Sequence, residues 1–268
     1  MNENEQQTAH EELTRMVEPE VIKMGVVQRA ISIFAAPEAL MRNVKAYPVI
    51  LVPFLLSVII GFIAFIPSQA VQDITTQEMS IISIERYGVD LFNFSALADE
   101  YGDIDTGNVL DVLTMVTAGA SIIIMPFLIS FIAALVLFIL SKIARGQSRF
   151  GQLFSMYMHV YVIMALGGLA VSFLISMTGR FLDVTSLAAV VMPNGRIDMF
   201  SFNLLSGISV FNIWATVITF IGLKIINEFS AIKAGVIAVI ALLLSISITA
   251  AIMTSTWWLM DMTMGMVM

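Results

Sequence analysis

His159 is the side chain of this sequence best suited to move a proton, yet its surroundings supply no partner for it. It stands in a run of residues, 150–179, that holds no Asp, Glu, Lys or Arg, and no other such run offers a carboxylate. An ionisable group inside an apolar helix is a functional suspect by default. Neutral imidazole is also the least costly such group to bury, so a structural hydrogen bond is the leading reading and a proton relay the second. The carboxylates of Asp103, Asp105 and Asp111, with Gly107 and Asn108 among them, faintly resemble a calcium loop. That pattern needs a third oxygen ligand where Gly107 stands and a closing Glu, so a solvated acidic loop is the stronger reading. Asn212 is expected to link helices by a hydrogen bond, and Trp257 with Trp258 to anchor a helix end at a membrane interface. The chain has no cysteine, which removes thiolate nucleophiles, disulfides and Cys-based metal sites. It contains no H-E-x-x-H, G-x-S-x-G, P-loop or G-x-G-x-x-G pattern. The expectation is a protein without catalytic, cofactor-binding or metal-binding residues, and not an enzyme.

The elements that would position these residues are set by five charge-free runs: 46–72, 112–141, 150–179, 199–223 and 234–260. A bilayer core about 30 Å thick is crossed by about 20 apolar residues in helix. Each run is long enough. In lipid a helix satisfies its own backbone, whereas an open sheet edge would not. The fold class expected is therefore all-α: a polytopic membrane protein with spans at about 47–70, 113–141, 150–178, 203–223 and 235–259 within a membrane domain, 47–262. Composition agrees, with 59% hydrophobic and 12% charged residues, against roughly 25% charged in an average soluble domain. No basic patch interleaved with aromatics points to nucleic acid.

The placement of Lys and Arg orients the spans. Ten of the thirteen fall on the side of the N-terminal segment and the second and fourth loops, leaving Arg86, Arg180 and Arg196 opposite. The positive-inside rule then predicts a cytoplasmic N-terminus and an outside C-terminus. Residues 1–20 have neither a basic start nor a short apolar core, so a cleaved signal peptide is not expected and the first span is expected to direct targeting.

Along the chain, residues 1–12 read as a disordered acidic tail and 13–46 as cytoplasmic amphipathic helices. Leu13, Val17, Val21, Met24, Val27, Ile31 and Phe34 form an apolar stripe, with Glu18, Glu20, Lys23, Gln28 and Arg29 on the other face. Two partners suit that stripe: the headgroup plane of a membrane, or the protein's own loops. Pro37 should break the helix, and Pro48 should open the first span, where a missing N–H costs little. The outer loop, 73–111, is acidic and carries apolar residues for a short surface helix or two. Residues 142–149 read as a tight basic turn and Pro193-Asn194-Gly195 as another. Small residues one turn apart (Ser57 and Gly61; Gly168, Ser172 and Ser176; Ala241, Ser245 and Thr249) predict close helix approaches.

Three local patterns, in order, make the chain resemble the Yip family of Ypt-interacting five-span membrane proteins, in particular its prokaryotic branch. The first is Ile33-Phe34-Ala35-Ala36-Pro37, followed by Val44 and Pro48. The second is the turn Gly146-Gln147-Ser148-Arg149-Phe150, and the third is Phe211 with Trp214 and Gly222, followed by Ser230 and Lys233. The resemblance covers about residues 30–255. It implies a non-enzymatic integral protein of the cytoplasmic membrane that binds lipid and protein partners. Accessory work for an ATP-binding-cassette exporter or an envelope-stress system is the partner class it suggests, and a small-molecule or ion transporter or channel is the alternative function. Eukaryotic members act with Rab-type GTPases through an aspartate–leucine–tyrosine–glycine–proline element that this chain lacks. Together with His159, the residues Phe34, Pro37, Pro48, Gly146, Phe150, Phe211, Trp214 and Gly222 are the expected packing or functional positions.

Overall fold

The computed structural model describes residues 22–87, 106–179, 184–191 and 199–265, which form nine helices. These are α1 (Val26–Ala35), α2 (Pro37–Ala46), α3 (Leu51–Tyr87), α4 (Thr106–Ile143), α5 (Phe150–Thr178), α6 (Leu187–Val191), α7 (Met199–Ser206), α8 (Val210–Ile226) and α9 (Ala231–Gly265). Four of them contain stretches long and apolar enough to cross a bilayer: Leu51–Ile74, Met115–Ile143, Phe150–Thr178 and Ala231–Ser255. The chain is an all-helical, polytopic membrane protein.

Helix α5 is the axis. It packs against α3, α4 and α8, and against α1 and α2 at its N-terminal end. Its residues Leu153, Phe154, Ser155, Met156, Met158, His159, Val160, Val162 and Ile163 are buried on every side of the helix. A helix apolar all round is expected to sit inside a bundle, and here it does. Outward positions of the neighbouring helices, such as Leu55 and Ile59 on α3 or Leu243 and Ile248 on α9, stay exposed and apolar, as lipid requires.

Three expectations change in detail. The fourth run, 199–223, expected to form one span over 203–223, is divided: α7 ends at Ser206 and α8, of 17 residues, starts at Val210. Polar groups stabilise the break. Ser209 caps α8 by accepting from Asn212 N at 3.2 Å, and Asn212 Nδ2 donates to Gly207 O at 2.8 Å. The turn that opens α6 completes the pairing, with Leu187 N donating to Ile208 O and Val210 N to Thr185 O. Second, the apolar helix expected over 13–34 starts only at Val26 within the described residues, because Ile22–Gly25 are not helical; 13–21 lie outside them. Third, the outer loop is not a separate layer where it is described. Helix α3 runs on from Ile74 to Tyr87 with no Gly or Pro to stop it, a projection of about 20 Å at 1.5 Å per residue. Residues 88–105 lie outside the described part.

Pro37 acts as expected, whereas Pro48 lies in the non-helical stretch 48–50 ahead of α3 rather than in its first turn. Ala36 takes φ −150° and ψ 62°, and Pro37 opens α2; a residue before proline avoids helical backbone. Of the small-residue rows only the first marks a close crossing. A Cβ on Gly61 would lie 2.8 Å from Ile122 Cγ2 of α4, whereas one on Gly168 would meet nothing, and Ser245 and Thr249 are exposed. The glycine of α5 that permits close approach is Gly167: its Cβ would fall 2.5 Å from Cγ of Phe211.

Candidate functional site

The end of the bundle where α1, α2 and the turns 144–149 and 227–230 meet holds most of the polar structure among the described residues. Asn227 is its hub. Its Oδ1 accepts from Ser148 N at 3.2 Å and its Nδ2 donates to Ser141 Oγ at 3.3 Å, tying the α4–α5 turn to the α8–α9 turn. Gly146 makes this possible. A Cβ there would overlap Asn227 Oδ1 and lie 2.8 Å from Phe229 Cζ and 2.9 Å from Ser141 O. Both turns use left-handed backbone at non-glycine residues, Arg145 (φ 59°) and Glu228 (φ 56°). Such backbone is uncommon outside glycine and signals a turn held by its surroundings.

Helix α2 locks onto this end. Leu40, Met41 and Val44 are fully buried against the bundle, while Glu38 and Arg42 face out. Lys45 forms an ion pair with Glu228 at 2.6 Å, and its carbonyl accepts from Gln152 Nε2 at 2.8 Å. The Lys45 hydrogen bond, more than its charge alone, holds the Glu228 carboxyl below the usual glutamate range. Past Pro48, Val49 exchanges two bonds with Ser155 Oγ, at 3.0 and 2.8 Å. Exposed cations remain around the clamp: Arg42, Lys142, Arg145, Arg149, Lys224 and Lys233.

Under α2 lies a buried guanidinium. Arg29 of α1 donates through Nη2 to Asn43 Oδ1 and to Tyr47 O (3.2 Å), and through Nε to Met24 O (3.3 Å), while Nη1 has no partner. Asn43 Nδ2 in turn donates to Ile22 O at 2.7 Å. Burial draws the Arg29 guanidinium below its ordinary pKa, although arginine keeps its charge over any accessible pH.

His159 is buried one level deeper, with Nδ1 2.7 Å from Ser155 O. A carbonyl can only accept, so Nδ1 carries the proton and Nε2 presents a lone pair, which has no partner. Of the other expected positions, Phe150 joins a ring cluster with Phe131 (5.4 Å), Phe138 (5.9 Å) and Phe154 (5.9 Å). Gly222 faces Met156 and Met41: a Cβ there would overlap Met156 Sδ and lie 3.2 Å from Met41 Sδ. Pro37, Pro48, Gly146, Phe150 and Gly222 thus gather at one end of the bundle. Phe211 packs on Gly167 away from them, and Phe34 and Trp214 are exposed. Arg29, expected on the polar face of the amphipathic helix, is buried instead; Asn43, Gln152, Ser155 and Asn227 were not singled out by sequence, and only their polarity could have marked them. Asp103 and Asp105 lie outside the described residues, as do the side chains of Asp111, Trp257 and Trp258. Among the described residues no group of three or more His, Asp or Glu could hold a metal.

Helices of this length and surface define an integral membrane protein, and among the described residues its polar structure is concentrated at one end. A family model, the Yip1 domain, matches residues 31–253, and the chain belongs to that family. No curated protein and no solved structure matches it.

Proposed function

We propose that the protein is a non-enzymatic, five-span scaffold of the cytoplasmic membrane whose basic end faces the cytoplasm and binds a membrane protein partner. The supporting observation is the clamp itself. Asn227, Gly146 and the Lys45–Glu228 pair join three separate chain segments into one rigid rim that carries six exposed cations. A preorganised charged surface suits recognition, because little ordering cost remains to be met on binding. In this topology the divided helix α7–α8 serves as the fourth crossing. Its 17-residue part extends about 25 Å at 1.5 Å per residue, and α7 completes the depth. The family resemblance directs the search for the partner to subunits of an ATP-binding-cassette exporter or an envelope-stress system.

The test is affinity purification from native membranes, with mass spectrometry of co-purified proteins, for wild type and an Arg145→Glu/Arg149→Glu variant. Specific partners lost on charge reversal are expected. Recovery of the same partners by both forms removes the basic rim from the reading. One observation favours a second reading, transport: His159 Nε2 is buried without a partner beside a bundle that contains a broken helix, and broken helices build many transporter sites. Proton-dependent flux in proteoliposomes that disappears with His159→Gln would put transport first.

A further inference from the structure

Helix α1 is turned inside out relative to a helix on a soluble domain. Its cation and hydroxyl point into the protein: Arg29 is 2% exposed, and Ser32 and Ile33 are buried beside it. Its outward face is apolar, with Val27 70% and Ile31 60% exposed, flanked by Val26 and Phe34. Val27, Ile31 and Phe34 follow at i, i+4 and i+7, so they form one continuous stripe. The helix cannot readily roll to hide it, because the Arg29 guanidinium is bound to Asn43, Met24 O and Tyr47 O. Rolling would break those bonds and deprive Asn43 Oδ1 of its guanidinium donor. Exposed apolar residues are ordinary when scattered, whereas a contiguous stripe on a fixed helix is an interaction surface.

The surface beside the stripe indicates what covers it. Arg29 Nη2 reaches Tyr47 O, so α1 lies beside the junction at which the chain enters α3. Leu51, the first residue of α3, is exposed and begins that span's lipid-facing surface with Leu55 and Ile59. The stripe of α1 thus lies next to a surface that lipid already covers. Lys23 and Arg42 are exposed nearby, placing positive charge where headgroup phosphates would sit. We infer that α1 is a membrane-surface helix: Val26, Val27, Ile31 and Phe34 enter the headgroup–acyl boundary of the leaflet at the basic end. This inference does not depend on the partner-binding reading, since it needs only the membrane class of the protein.

The absence of cysteine makes the test direct. Val27→Cys, Ile31→Cys and, as the water-facing reference, Glu38→Cys each receive a nitroxide on full-length protein, one copy per nanodisc of phosphatidylcholine and phosphatidylglycerol. Power saturation then compares collision with oxygen, which partitions into lipid, and with a water-soluble nickel chelate. Labels at 27 and 31 should collide severalfold more with oxygen than with nickel, and the label at 38 should show the reverse. Higher nickel than oxygen access at both 27 and 31 would place the stripe in water and overturn the inference. Labels at both sites that are immobile and shielded from both reagents would mean protein covers the stripe, which overturns it equally. All three substituted positions are exposed, so folding is not at stake in the readout.

Discussion

At the scale of single residues, the two glycines of the basic end carry the most steric information. Gly222 lets α8 approach Met156 of α5 and Met41 of α2 together. Gly222→Leu should therefore lower the melting temperature of the detergent-solubilised protein, an overpacking cost of about 1–3 kcal/mol. Trp214, 40% exposed, provides the contrast; Trp214→Ala should shift melting far less, and equal shifts would show that the α8 face has been misassigned. Leu223, next to Gly222, is fully buried, so Leu223→Ala should itself cost about 2–5 kcal/mol. His159 is held by one carbonyl bond. His159→Gln keeps a donor of similar reach, and the variant is expected to fold and to recover wild-type partners, checked by yield and pull-down.

At the scale of elements, the break between α7 and α8 is the least standard feature. Backbone freed at a break must find partners in an apolar medium, and Asn212 supplies one by donating to Gly207 O. Asn212→Leu should remove that bond and lower stability by about 1–3 kcal/mol, the cost of a part-buried acceptor left unpaired in an apolar medium. A melting temperature unchanged from wild type would mean that water reaches the break. The α5–α8 contact offers a coupled pair, because Phe211 fills the space a side chain at position 167 would need. Gly167→Ala alone should destabilise, and in the Phe211→Ala background it should cost much less. Additive effects would deny the contact, since independent sites add and touching ones do not.

At the scale of the whole molecule, the prediction concerns how the basic end is held and which way it faces. The Glu228 carboxyl has a folded pKa below its unfolded value. Its stabilisation is therefore present at neutral pH and is lost as the pH falls through the folded value. The pair is solvent-exposed, so its worth is about 0–1 kcal/mol and is screened by salt. Lys45→Met should lower the melting temperature slightly at neutral pH, with the difference closing in strong acid and in high salt. A difference that persisted in acid would have to come from the packing of the Lys45 stem. For orientation, single cysteines at Gln147 and Thr76 can be probed on intact cells with an impermeant maleimide. Labelling at Thr76 and not at Gln147 is expected; the reverse would invert the proposed topology.

Membrane class and helical fold were legible in the sequence because a bilayer imposes its thickness directly on the chain: runs without charge, such as 112–141 and 150–179, become Met115–Ile143 and Phe150–Thr178 almost residue for residue. Pro37 was legible for a similar reason, since proline acts on its own backbone whatever surrounds it. The Yip patterns were legible as order and spacing along the chain. Packing was not, because lipid and protein interior are equally apolar and hydropathy cannot tell the two faces of a span apart. Hence Gly167 rather than Gly168 marks the close approach, and the row with Ser245 and Thr249 faces outward. The apolar stripe of α1 was visible as a stripe, but which way it points depends on Arg29 finding Asn43 fourteen residues later. The hub at Asn227 joins residues 79 and 86 positions apart. Contacts of that range arise only when helices assemble, and no local pattern in the sequence records them.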